Sequence, residues 1–239
     1  MVIPKGTTVK EKRTKYLKFF ENLLYDAVYL AYSAHDIDTE KDDAGYEFTL
    51  IRSSILNTML LLECAANCCI HSLRLPQSYY NDIDKLPSIS KYEFFLKTIK
   101  PNCKFDRGSK EVQTIAELKS LRDKYVHPKV NKKDMVKIDK STWDVDFGNS
   151  ELLGIPFSMD VLKKESAVKS LKAVNDFFNK FFLEWCEFDK DTVCSLLLGD
   201  EETEPDVSVS FYVDGIWGLN RAVNEWGIDF KFIGKDQCK

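Results

Sequence analysis

No apolar run in the 239-residue sequence approaches the roughly 20 residues needed to cross a bilayer. The longest, around Met59 to Leu62, stops at Glu63. The opening residues, MVIPKGTTVKEKRTKYLKFF, are basic but hold no apolar stretch with a small-residue cleavage site. Neither a signal peptide nor a transmembrane helix is expected from that pattern. There is no Gly-rich phosphate loop, no HExxH and no GxSxG, the signatures of P-loop, zincin and serine-hydrolase chemistry. A net charge of −4 lacks the basic excess of a general nucleic-acid coat protein. The seven cysteines are odd in number and form no disulfide framework. Cys64, Cys68, Cys69 and Cys186 fall in apolar helical patterns, as buried thiols of a reducing cytosol do, so a cytoplasmic location is expected. Cys64, Cys68, Cys69 and His71 lack a second ligand pair at metal-binding spacing. No metal and no cofactor are expected.

Against these absences stand 44% hydrophobic and 13% aromatic residues, enough for a folded core and far from a disordered composition. The length suits one large domain, or one domain with an appendage. Apolar residues at three- and four-residue steps predict amphipathic helices over about 12–34, 47–75, 110–126 and 159–187. Ser90 to Glu93 reads as the capping box of a shorter helix, and Val193 to Leu198 as another short one. Alternation in residues 135–147 predicts a β-hairpin or extended arm. Beyond the acidic run GDEETEPD, VSVSFYV reads as a strand, GLNRAVNEW as a helix and IDFKFI as a second strand. The expected fold is mainly α: a bundle of about five helices over residues 1–190. It carries a short β-hairpin insertion and, over residues 191–239, an acidic linker and a small α/β extension.

Charge is unevenly distributed. Lys119 to Lys140 holds eight Lys/Arg against three Asp, whereas Glu184 to Asp206 holds nine acids against one Lys. The basic stretch surrounds ELKSLRDKYVHPK, where Arg122 and His127 are separated by four residues at the end of a predicted helix that Pro128 stops. A guanidinium stays charged and holds two phosphate oxygens at once; an imidazole takes or gives a proton near neutral pH. Together they suit phosphoryl chemistry. Read without wider context, the same residues are a surface ion pair of Arg122 with Asp123, Glu117 or Asp106, and a helix-terminal histidine. Glu63 and Asn67, one turn apart on the apolar helix, form either a structural polar pair or a support that orients Arg122 across the bundle.

The Arg122-Asp123-x3-His127 pattern, at the end of an amphipathic helix and downstream of the long helix IRSSILNTMLLLECAANCC, resembles the HEPN superfamily (higher eukaryotes and prokaryotes nucleotide-binding). The resemblance spans roughly residues 12–188, and its specific part is the short motif. It implies a metal-independent endoribonuclease, a homodimer with a composite site, often within toxin–antitoxin or phage-defence systems. Arg122 and His127 would then be catalytic, with Asp123, Glu63 and Asn67 in support. Lys119, Lys124, Lys129, Lys132 and Lys133 would lie along the RNA. Lys129 stands where some relatives carry a modified tyrosine, so regulation by that modification is not expected. The alternative is a non-catalytic HEPN-like module that binds a nucleotide or an antitoxin-like or defence partner, with residues 200–239 as its docking element.

Overall fold

The computed structural model describes residues 15–38, 44–127, 130, 135–137, 139, 142–145, 147–198, 201–202 and 218–234. A two-residue strand, β1 (Lys15–Tyr16), precedes α1 (Phe20–Asp36), α2 (Ala44–Ser72), α3 (Gln77–Ile83), α4 (Ser88–Ile99) and α5 (Lys110–Val126). A hairpin, β2 (Met135–Lys137) and β3 (Trp143–Val145), leads to a 3-10 turn at Met159–Val161 and to α6 (Lys164–Phe178). A π-helical stretch (Asn179–Trp185), α7 (Lys190–Leu197), β4 (Glu201–Glu202) and α8 (Leu219–Trp226) follow. The mainly α class is as expected, but the described residues form eight α-helices rather than about five.

α2 is the axis of the bundle and packs against α1, α4, α5, α6 and α7. Its small residues explain how so many neighbours approach: Ala65, Ala66 and Cys69 are buried, as are Ala27 and Ala31 on α1. Buried hydroxyls keep this apolar contact satisfied. Ser54 Oγ donates to the Ala27 carbonyl at 2.7 Å, and Tyr92 Oη of α4 donates to the Leu62 carbonyl at 2.7 Å. By length and composition α2 is also able to cross a membrane: Gly45–Ser72 contains a window of mean hydropathy 1.4. Counting uninterrupted apolar runs missed this, because Glu63 and scattered polar residues break the run. Within the fold 61% of that window is buried.

Four sequence expectations are corrected. The first helix begins at Phe20, not near Lys12, because Lys15 and Tyr16 pair antiparallel with Glu202 and Glu201. Ser90 and Glu93 form no capping box: α4 starts at Ser88 behind Pro87, and Glu93 binds the Arg107 guanidinium instead. The helix expected over 159–187 is three pieces, and its last piece is π-helical. There Cys186 N–H reaches back to the Phe181 carbonyl at 2.9 Å, a five-residue step. The aromatics Phe177, Phe178, Phe181 and Phe182 are all fully buried, packed with Phe20, Tyr92 and Phe232. Finally, IDFKFI is not a strand. Phe230 makes an isolated bridge and Lys231–Ile233 a 3-10 turn. Phe230, Phe232 and Ile233 are buried in the same core as α1 and α6, so this segment completes the bundle. Asn179 fixes it by both ends of its amide, donating to the Asp229 carbonyl at 2.8 Å and accepting from Phe232 N–H at 3.0 Å. The expected strand VSVSFYV lies outside the described residues; the expected helix is α8.

Candidate functional site

α5 forms where its sequence predicts. Ser109 is its N-cap, accepting from Val112 N–H, and Val112, Ile115, Leu118, Leu121 and Tyr125 are its buried stripe. Its other faces carry Lys119, Arg122, Asp123 and Lys124. The helix ends as His127 turns out at φ −121° and ψ 62°, while its N–H still bonds the Asp123 carbonyl at 3.0 Å. The His127 side chain is exposed, and no described residue hydrogen-bonds its ring.

Arg122 lies between two carboxylates. Nη2 is 3.4 Å from Glu63 Oε2 on α2, and Nη1 donates to Asp123 Oδ1 at 3.2 Å. The Arg122 side chain remains 31% exposed and that of Glu63 43%. Asp123 also accepts from Lys119 Nζ at 2.9 Å, and this bond, followed by the one from Arg122, holds its carboxyl below the usual range. Of the two supports expected on α2, Glu63 therefore reaches the arginine. Asn67 does not bond it. Its Oδ1 accepts from Lys91 Nζ at 2.7 Å, and that buried ammonium also donates to Asp84 at 3.2 Å.

The expected RNA-facing lysines divide. Lys119 is paired with Asp123, and Lys124 sits over the Phe157 ring with Nζ 3.3 Å from its centre. Lys129, Lys132 and Lys133 lie outside the described residues. The segment that receives Lys124 was not anticipated as a wall of the site. The Glu117 carboxylate accepts from Leu152 N–H at 3.1 Å and Leu153 N–H at 2.9 Å, and Tyr125 Oη donates to the Pro156 carbonyl at 2.9 Å. Burial pushes the Tyr125 phenol up to about 12, in keeping with a packing role. Glu117 and Asp106 thus hold turns rather than Arg122; Asp106 accepts from Gly108 N–H at 3.1 Å. Glu117 was legible only as a possible ion-pair partner, because a bond to a backbone 35 residues away leaves no local signature.

Arg122, Glu63, Asp123 and Lys119 form an alternating network with no net charge. It fixes the guanidinium in place while leaving it partly open to solvent. A phosphate arriving there would replace a carboxylate rather than meet a bare cation. Among the described residues no group of three or more His, Cys, Asp or Glu is placed to hold a metal ion. Comparison with known proteins finds no matching family model, no matching curated protein and no matching solved structure. The class of the molecule is therefore the one its own architecture defines, a mainly α-helical bundle.

Proposed function

We propose that this protein is a metal-independent endoribonuclease of HEPN type, with His127 as the acid/base and Arg122 stabilising charge on the scissile phosphate. The observation that carries the reading is the pairing of an anchored arginine with an exposed histidine at one helix end. Glu63 and Asp123 hold Arg122, and His127 leaves the helix with its ring unengaged by any described residue. The imidazole would take the proton of a ribose 2′-OH as that oxygen attacks phosphorus; the P–O5′ bond would break and the leaving oxygen would take a proton from an imidazolium, giving a 2′,3′-cyclic phosphate and a free 5′-OH. Only residues of this chain are needed, and no cofactor enters the step. Residues five apart on a continuous helix lie about 140° apart around its axis, and here His127 departs from helical backbone at the C-cap, with no hydrogen bond to Arg122. A two-fold dimer that juxtaposes two copies of the motif would let the Arg of one chain and the His of the other share a phosphate. The toxin–antitoxin or phage-defence setting follows from the same resemblance, and the cytoplasmic location from the thiols set in apolar helical patterns.

The test is cleavage of a single-stranded RNA in EDTA beside the same strand with 2′-deoxyribose throughout. RNA cut to cyclic-phosphate ends with the deoxy strand intact is the expected result. Cleavage of both strands would remove the 2′-OH from the mechanism. A second reading, a non-catalytic nucleotide- or partner-binding dimerisation module, is favoured by one observation: both ion pairs of Arg122 are to carboxylates, so its charge is already met. That reading predicts a dimer that binds without cutting.

A further inference from the structure

The hairpin that follows the motif helix is a two-stranded ribbon with no third strand among the described residues. Asp139 closes its turn, its carboxylate accepting from Thr142 N–H at 2.7 Å. In register, Lys137 stands opposite Trp143 and Met135 opposite Val145. Opposed residues of an antiparallel pair share one face, so these four side chains lie together. Met135 is 55% exposed and Trp143 54%. The Lys137 ammonium lies over the Trp143 indole, with Nζ 5.6 Å from the ring centre. A ribbon of this size is marginally stable alone and gains little from an indole and a thioether left in water. Contiguous apolar surface kept exposed marks an interaction face.

The ribbon is tied to the motif helix at both ends. Eight residues lead from His127 to Met135, so β2 starts within about 29 Å of the candidate acid/base. Beyond β3, the Gly148 carbonyl accepts from Phe157 N–H at 3.0 Å, and the Phe157 ring carries Lys124 of α5. Charge narrows the choice of occupant. Lys119 to Lys140 holds eight Lys/Arg against three Asp, which favours an anion. A flat ring beside an ammonium meets a base and its phosphate together, since every base has a π-face and every linkage a charge. Bases are open to stacking where they are unpaired. Of the two aromatics nearest the basic stretch, Tyr125 is packed and Trp143 is presented to solvent.

We propose that the Lys137–Trp143 face binds single-stranded RNA, with one base stacked on the Trp143 indole and an adjacent phosphate at the Lys137 ammonium. The choice of RNA rests on the endoribonuclease reading; the contact itself uses neither Arg122 nor His127.

The test is fluorescence anisotropy of a labelled 2′-O-methyl RNA of about 12 nucleotides, which offers no 2′-OH for attack, beside an abasic phosphodiester strand of the same length. Full-length wild type should bind the base-bearing strand at least about tenfold more tightly than the abasic one. Trp143→Leu keeps an apolar neighbour for Lys137 without a flat ring, and should bind both strands alike. Lys137→Gln should weaken both, and lower the log–log salt slope by about 0.7. Equal binding of the two strands by wild type overturns the proposal and requires no variant to fold. So does a preference for bases that Trp143→Leu retains, or no binding at about 0.1 mM strand in low salt. A dimer that Trp143→Leu splits at unchanged strand affinity also overturns it, and makes the face a contact between copies. Base-dependent binding lost in Trp143→Leu, with no cleavage of ordinary RNA, would sink the nuclease reading and leave this face standing.

Discussion

Glu63 is a single carboxylate on the bundle's axial helix, and its contact with Arg122 has two consequences that separate. As a partly exposed ion pair at 3.4 Å it contributes little to folding. Glu63→Ala should shift stability by only about 0–1 kcal/mol in denaturant unfolding. As a positioning group it matters more, because misplacing a reacting group by about 1 Å costs on the order of 100-fold. Glu63→Ala should therefore lower RNA cleavage sharply at nearly unchanged stability; loss of both together would make it a structural residue only. His35 offers a second test at this scale. Burial, then the Lys164 ammonium, holds its imidazole below the ordinary value. Nε2 is buried without a hydrogen-bond partner, and the ring packs 5.2 Å from Trp226. Asp36 and Glu165 oppose that shift and Arg221 adds to it. As pH falls through the unfolded-state value, about 6.5, the unfolded chain takes up a proton that the folded chain resists. Stability should thus fall with acidification from that point down to the depressed folded value. His35→Gln should flatten the slope in urea titrations over that window; an unchanged slope would assign the acid sensitivity to other groups.

At the scale of elements, what the sequence revealed depended on whether a pattern carried its own partner. α5 was legible to its ends, because a Ser N-cap, a periodic stripe and a proline bracket it. The motif residues were placed on it correctly for the same reason. In IDFKFI the alternation did report burial, since Ile228, Phe230 and Phe232 are inside, while Asp229 and Lys231 are not. A strand also needs a ladder partner, and the segment instead closes on Asn179 of the π-helical stretch. That stretch was illegible for a related reason. Phe181 and Phe182 within it, and Phe177 and Phe178 just before it, are buried on adjacent positions and so give no face whose period distinguishes a four-residue from a five-residue step. The pairing of Glu63 with Arg122 spans 59 residues, and spacing alone does not encode it. The C-terminal segment is anchored at several points: Arg221 forks onto Asp36 with both bonds at 3.0 Å, and Trp226 stacks on Tyr32 at 4.0 Å. Phe232→Ala should cost about 3–5 kcal/mol, read as a lowered denaturation midpoint. A neutral result would mean that residues 228–233 do not close the core.

For the whole molecule, the uneven charge of the chain becomes spatial. Described residues of the acidic run, Glu201–Glu202, pair with β1 beside Lys15 and Tyr16. The motif helix meets a different part of the fold, the segment from Asn149 to Phe157. The proposed chemistry also makes a demand on assembly. If each site takes Arg122 from one copy and His127 from another, mixing Arg122→Ala with His127→Ala protein should restore activity that neither has alone. Failure to restore it, in mixtures shown to exchange subunits, would place both residues of a site on one chain. The most direct test of the central claim is cleavage of one labelled single-stranded RNA in EDTA by wild type and by His127→Ala, with end groups identified. Wild type should give cyclic-phosphate products and a folded His127→Ala protein none. Cleavage by His127→Ala at the wild-type rate would contradict it.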